Sequence, residues 1–194
     1  MPFKRKKMLA LDTAEKMKAI SSPVAIEIIQ ALRQIGPASV SELGPAIGRK
    51  PNSLHYHVNK LVENGLVAKT GSQMSGARTE TVYDVTAEKF LGGSLNNEEE
   101  LSVFTKKSVN TILRLAARNY EKAVADHASA SEKGKKRNLL VQRLAGRLTG
   151  EQLAEVNGLV DRIMEIFADN VASKDGKKIS LTLAMTPLET DGDK

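Results

Sequence analysis

The stretch from Gly36 to Val85 restricts the fold of this chain more than any other, because glycines and helix-start residues divide it into short pieces of different period. Val40 lies in a brief extended stretch. Ser41 reads as the cap of a helix, ELGPAIG, with Leu43 and Ile47 turned inward. Gly48 permits the turn that follows. A second helix spans residues 51–64, with Pro at its start and Gly65 as the expected residue just past its end. Its apolar residues, Leu54, Val58, Leu61 and Val62, form one stripe at spacings of four, three and one. Beyond Gly65, LVAKT and TVYDV are strand-like and flank the polar, glycine-bearing GSQMSGARTE, so they predict a hairpin.

Two further helices precede this segment. Asp12 to Ile20 offers Leu11, Met17 and Ile20 for packing. Ser22-Pro23 then starts VAIEIIQALRQI, where Ile26, Ile29, Leu32 and Arg33 recur at threes and fours until Gly36-Pro37 stops the helix. The order helix, turn, helix, hairpin is that of a helix-turn-helix with a wing, an arrangement that projects one amphipathic helix of a size to enter a DNA major groove. The predicted fold class is mostly α with small β. It has a basic N-terminal arm over 1–12, a winged helix-turn-helix domain over 13–92, and a C-terminal part over 93–194 with a long dimerisation helix and a small strand-helix-strand unit.

The polar side of the second helix of the pair is rich in hydrogen-bonding side chains. Asn52, Ser53, His55, Tyr56 and Asn59 are expected to face DNA, with Asn52 and Ser53 deepest in the groove. Lys50, Lys60, Lys69 and Arg78 are also expected to bind DNA, Lys60 at phosphate and Arg78, from a wing over 71–80 with Lys69 at its base, at phosphate or in the minor groove. Taken alone, Arg78 also reads as an incidental charge on an exposed loop. His55 and His57 sit two apart on a helix and so point in different directions, and the third histidine, His127, is distant in sequence. This spacing argues against a metal site. His57 reads as half-buried packing and His55 as a DNA or solvent contact.

Charge supports a polyanion partner. The net charge is +6, and residues 1–90 carry 13 Lys and Arg against 8 Asp and Glu. Lys4, Arg5, Lys6 and Lys7 read either as an arm for the minor groove or as a solvated terminus. The chain has no Cys, which excludes disulfides, thiolate metal sites and cysteine nucleophiles. Neither a secretory signal nor a membrane-length apolar run is visible, so the expected location is cytoplasmic.

The segments SSPVAIEIIQAL, GPASVSELGPAIGRKPNSLHYHVNKLVENGLV and GARTETVYDVT resemble the ArsR-like winged helix-turn-helix regulators, in the branch without thiol metal sites. The resemblance covers about residues 13–90. It implies a dimeric, DNA-binding transcription factor. Relatives often carry two successive Arg where this chain has Ala77-Arg78, which implies a weaker phosphate grip by the wing. The metal sensing of the group does not carry over to a chain without Cys.

In the second half, a helical pattern runs from about Glu98 to Ala128. Its stripe, with Leu101, Phe104, Ile112, Leu115 and Tyr120 among its members, suits dimerisation or packing on the chain's own winged helix. Ser129–Lys136 is a loop by composition. RNLLVQRLAGRL reads as a strand, although such short apolar runs are ambiguous with helix. Thr149 and Gln152 form a capping-box pattern for the next helix, Lys174–Lys177 is a turn, and ISLTLAM is a final strand. No nucleophile–base or metal constellation is present, so neither an enzyme nor a cofactor is expected. The predicted function is a homodimeric regulator that binds double-stranded DNA at a pseudo-palindromic operator, with half-sites about 10–10.5 bp apart. The rival is a winged-helix protein adaptor.

Overall fold

Serine and threonine caps set where the helices begin. The computed structural model describes residues 3–91, 98–125, 137–170, 173 and 175–188. α1 (Ala14–Ile20) starts behind Thr13, whose side chain accepts from the Lys16 N–H. α2 (Pro23–Ile35) starts behind Ser22 with Pro at its first turn, and ends at Gly36, where φ is 81°. α3 (Val40–Ile47) departs from the sequence reading by two residues: its cap is Ser39, not Ser41. Glu42 decides this, because it lies three residues after Ser39 and returns a hydrogen bond to the Ser39 N–H at 2.7 Å.

The helix expected over 51–64 opens instead as a 3-10 turn, Pro51–Ser53, and becomes α4 at His55–Glu63. Gly65, at φ 67°, turns the chain back so that the Leu66 N–H donates to the Leu61 carbonyl at 2.9 Å. β3 (Val67–Ser75) and β4 (Arg78–Val85) then pair antiparallel, with an irregularity between Lys69 and Gly71. The wing is therefore a hydrogen-bonded ribbon almost to its tip, not the loop expected over GSQMSGARTE. Gly76, at φ 59°, takes the first central position of a two-residue turn. β2 (Ala38–Ser39) completes the sheet in the order β2-β4-β3.

The basic N-terminal residues are also structured. β1 (Lys6–Ala10) pairs in parallel with β5 (Ala87–Leu91). Lys4, Lys6 and Lys7 are exposed, but Arg5 is not solvated in the expected way. Its Nε and Nη2 form a two-pronged ion pair with Asp84 at 2.9 and 2.6 Å, and Nη2 also donates to the Leu32 carbonyl at 2.9 Å. Asp84 is buried beside the core, so its charge demands a partner and the N-terminal segment supplies it.

The core of this region is built from Met17, Ile28, Leu32, Leu43, Leu54, Val58, Leu61, Leu66 and Val85, all essentially without solvent contact. The stripe predicted on α4 lies within it, with Val62 half-buried at the margin.

The chain divides into two compact units. One comprises Met1–Thr111 with Arg143–Gly176, the other Ile112–Gln142 with Lys177–Lys194. α5 (Glu98–Val124) begins in the first. There Phe104 is partly buried against the winged-helix core, and the Thr111 hydroxyl donates to the Ser21 carbonyl at 2.9 Å. α6 (Gly150–Asp169) carries the predicted Thr149/Gln152 capping box. Residues 137–149 and 177–188 form no strands. The strands expected over these two segments are thus not formed, because apolar content alone does not make the regular ladder of N–H and C=O bonds that defines a strand. The segment 95–97, His127 and the expected loop 129–136 lie outside the described residues. Among the described residues, no helix is long and apolar enough to cross a membrane.

Candidate nucleic-acid interface

The face of α4 opposite its buried stripe is open. Asn52, Ser53, His55, Tyr56 and Asn59 are all exposed, and Tyr56 retains 69% of its surface. A tyrosine so uncovered is a large, stiff side chain held out on a packed helix, suited to contact with a partner. The Ser53 hydroxyl donates to the Lys50 carbonyl at 2.7 Å, so its proton is engaged and its lone pairs face outward as acceptors. Asn52 and Ser53 stand on the 3-10 turn rather than on α4 itself. Lys50 is exposed just before that turn, and Lys60 is half-buried along α4.

The turn between α3 and α4 is tight because Gly44 has no side chain. A Cβ there would come within 2.8 Å of Pro51 Cγ and 2.9 Å of the Arg49 carbonyl oxygen. Gly48, in the left-handed region at φ 66°, ends α3. Arg49 pairs with Glu27 of α2 at 2.9 Å, which ties the turn to the helix behind it. Sequence reasoning assigned neither Gly44 nor Arg49 a role. The close approach of Gly44 to Pro51 depends on how two elements cross, and no local pattern announces it.

The wing is held against α3. The Ser41 hydroxyl donates to Glu80 at 2.5 Å, and the Gln73 amide donates to Glu42 at 2.8 Å. Glu42 thus caps α3 and fastens β3 at once. The Ser39 backbone N–H is the main cause holding its carboxyl below the usual range, with Gln73 contributing. Lys69 is exposed on β3, and Arg78 is exposed at the wing tip, paired in register with Ser75. α3, α4 and the wing therefore form one braced assembly.

The two neighbouring histidines differ. His55 is exposed. His57 is half-buried, its Nδ1 3.4 Å from the Ser22 hydroxyl and its ring edge-on to Tyr56 at 5.3 Å. Burial lowers the His57 pKa, and the Arg49 charge lowers it further. The unfolded chain, near the ordinary value of about 6.5, therefore takes up a proton before the folded one does. Stability is full above that value and falls as pH drops below it. His57→Gln is expected to lose less thermal stability than the parent between pH 7.5 and 5.5. Equal losses in thermal melts would refute this role. Among the described residues, no group of three or more His, Asp and Glu is gathered as a metal site would require.

The residues expected for dimerisation differ in exposure. Phe104 packs on the winged-helix core, Leu115 is buried and Tyr120 half-buried, while Ile112 is exposed. The side chain of Leu101 lies outside the described residues. The stripe is thus partly consumed within the chain.

Among curated proteins, no match to the chain was found. Residues 20–70, from the end of α1 to the middle of β3, match the family model described as a helix-turn-helix domain.

Proposed function

We propose that the chain is a sequence-specific, double-stranded-DNA-binding transcriptional regulator of the ArsR-like kind that acts as a homodimer on a pseudo-palindromic operator. The observation that carries this reading is the exposed polar face Asn52, Ser53, His55, Tyr56 and Asn59 on a helix whose other side is locked into the core. That face enters the major groove, and the wing carries Arg78 to the flanking backbone. The basic balance of residues 1–90 favours a polyanion. Residues 13–92 read the DNA and residues 93–194 bring two copies together.

Exposed apolar side chains support the dimer. Ile112, Leu113 and Val124 of α5 are uncovered, as are Leu140, Val141, Leu144, Ile179, Leu181 and Leu183 in the extended segments. Apolar surface on this scale marks a contact site. The two segments also carry the alternating or continuous apolar character of strands, and a second copy covers their exposed apolar side chains.

Selection of bound sequences from random DNA, followed by gel shifts at several salt concentrations, tests the proposal. Asn52→Ala and Tyr56→Ala should each cost about 1–3 kcal/mol of discrimination at the bases they touch. Lys60→Ala and Arg78→Ala should weaken binding on all sequences, each reducing the slope of log K against log salt by about 0.9. Unchanged binding in all four variants would sink the assigned face. No DNA affinity at low salt would favour a protein adaptor instead.

A further inference from the structure

α6 is helical over its whole length behind the Thr149/Gln152 capping box, yet its apolar residues are largely open to solvent. Leu153, Leu159, Met164, Ile166 and Phe167 each keep between 40% and 60% of their surface, and Val156, Val160 and Ile163 are half-buried. Leu153, Val156, Val160, Ile163 and Phe167 follow one another at spacings of three, four, three and four. That is the a and d pattern of a heptad, the period at which one helix meshes along another. The seam is short, so its width matters. Leu159 and Ile166 at g and Met164 at e broaden it on both sides.

Charge is sorted with respect to this seam. Glu151, Glu155, Asp161, Arg162, Glu165 and Asp169 all fall at the b, c and f positions, and Arg162 pairs with Glu165 there at 3.0 Å. The e and g positions beside the seam hold Gln152, Asn157, Leu159, Met164 and Ile166, none of them charged. A different protein selected by charge would find nothing to pair with at that border. A membrane surface would meet five acids against one Arg on the helix, the wrong sign for anionic lipid. A second α6 meets neither objection, because its acids also point away from the seam. The area suffices as well. Half-exposed side chains of this size leave roughly 100 Å² each. The five open ones thus offer roughly 500 Å² per copy, and two copies roughly the 1,000 Å² that a specific contact needs.

We propose that α6 is a homotypic contact surface, packing by its Leu153–Phe167 stripe against the same stripe of a second copy about a two-fold axis. This rests on the homodimer reading above and assigns its contact to one helix. It is tested without DNA.

The experiment measures self-association of the full chain by sedimentation equilibrium. Val160 lies at the middle of α6, so in a two-fold pair it comes close to its counterpart whichever way the helices run. Val160→Glu should weaken association by about a hundredfold or more, because it sets two like charges in an apolar seam. Gly158→Glu adds the same charge at an f position, where nothing lies within 4 Å of the new Cβ, and should leave association unchanged. Val160→Lys alone should dissociate like Val160→Glu. The two variants mixed should recover a heterodimer within about tenfold of the parent affinity, a recovery that also shows both chains to be intact. A parent chain that stays monomeric would overturn the homodimer reading and this inference with it. A dimer that survives Val160→Glu, a Gly158→Glu chain that dissociates as strongly, or Glu and Lys variants that stay monomeric when mixed would overturn the inference alone and leave the homodimer standing.

Discussion

Arg5→Ala is expected to destabilise the winged-helix region by about 3–5 kcal/mol, the cost of leaving a buried charge without its partner. The Asp84 side chain is 6% exposed and that of Arg5 24%, so the carboxylate suffers most when the pair is broken. Asp84 retains the Val85 N–H, which donates to Oδ1 at 2.8 Å, but one neutral donor does not replace a guanidinium held at two points. Asp84→Ala should be similarly damaging for another reason: it takes from Arg5 the carboxylate that meets its charge and leaves it beside the Arg33 cation. Lys4→Ala and Lys7→Ala remove exposed charges of the same segment and should stay within about 0.5 kcal/mol. Urea unfolding of the four single variants decides the matter. An Arg5→Ala midpoint no different from that of Lys7→Ala would show that the ion pair contributes nothing.

Gly44→Ala should cost about 1–3 kcal/mol, toward the upper end, because one of the atoms the new Cβ meets is a backbone carbonyl that cannot swing aside. The added methyl would part the 3-10 turn from α3 and displace Asn52 and Ser53 together. Affinity for DNA should therefore fall beyond what the lost stability accounts for, when measured under conditions where the variant is fully folded. Gly71→Ala is the control, since nothing lies within 4 Å of its added Cβ and its backbone is not left-handed. If Gly44→Ala melts at the same temperature as Gly71→Ala, the close approach is not a real constraint.

The parts of the fold that could be read from sequence are those set by local chemistry. The Leu54, Val58, Leu61 stripe specifies which side of α4 is buried, and by exclusion which side is open. Ser22-Pro23, Gly48, Gly65 and the Thr149/Gln152 box place helix ends, because caps and left-handed turns need particular residues whatever the tertiary context. The shift of the α3 cap from Ser41 to Ser39 was also present locally, in the spacing of Ser39 to Glu42. Other features depend on partners far away in sequence. Arg5 and Asp84 are 79 positions apart, Ser41 and Glu80 are 39 apart, and a run such as KRKK reads as a solvated terminus until its partner is known. The segments 137–149 and 177–188 show a third case. Their apolar content signals a strand, but a regular ladder of backbone hydrogen bonds makes one, and apolar content does not specify that ladder.

The parallel pairing of β1 with β5 also sets an order of assembly. Lys6 meets Ala87 and Ala10 meets Leu91, so the first strand to be synthesised waits for a mate about eighty residues later. At ~5–20 residues per second, a ribosome takes roughly 4–16 s to deliver that mate. α1 to α4 can form their local contacts within microseconds to milliseconds of emerging. Through that interval β1 is an unpaired edge, with Met8 and Leu9 open to other chains. Pairing with β5 is thus a late step in the assembly of this region, and until it occurs the first strand of a nascent chain is open to chaperones or to misassociation.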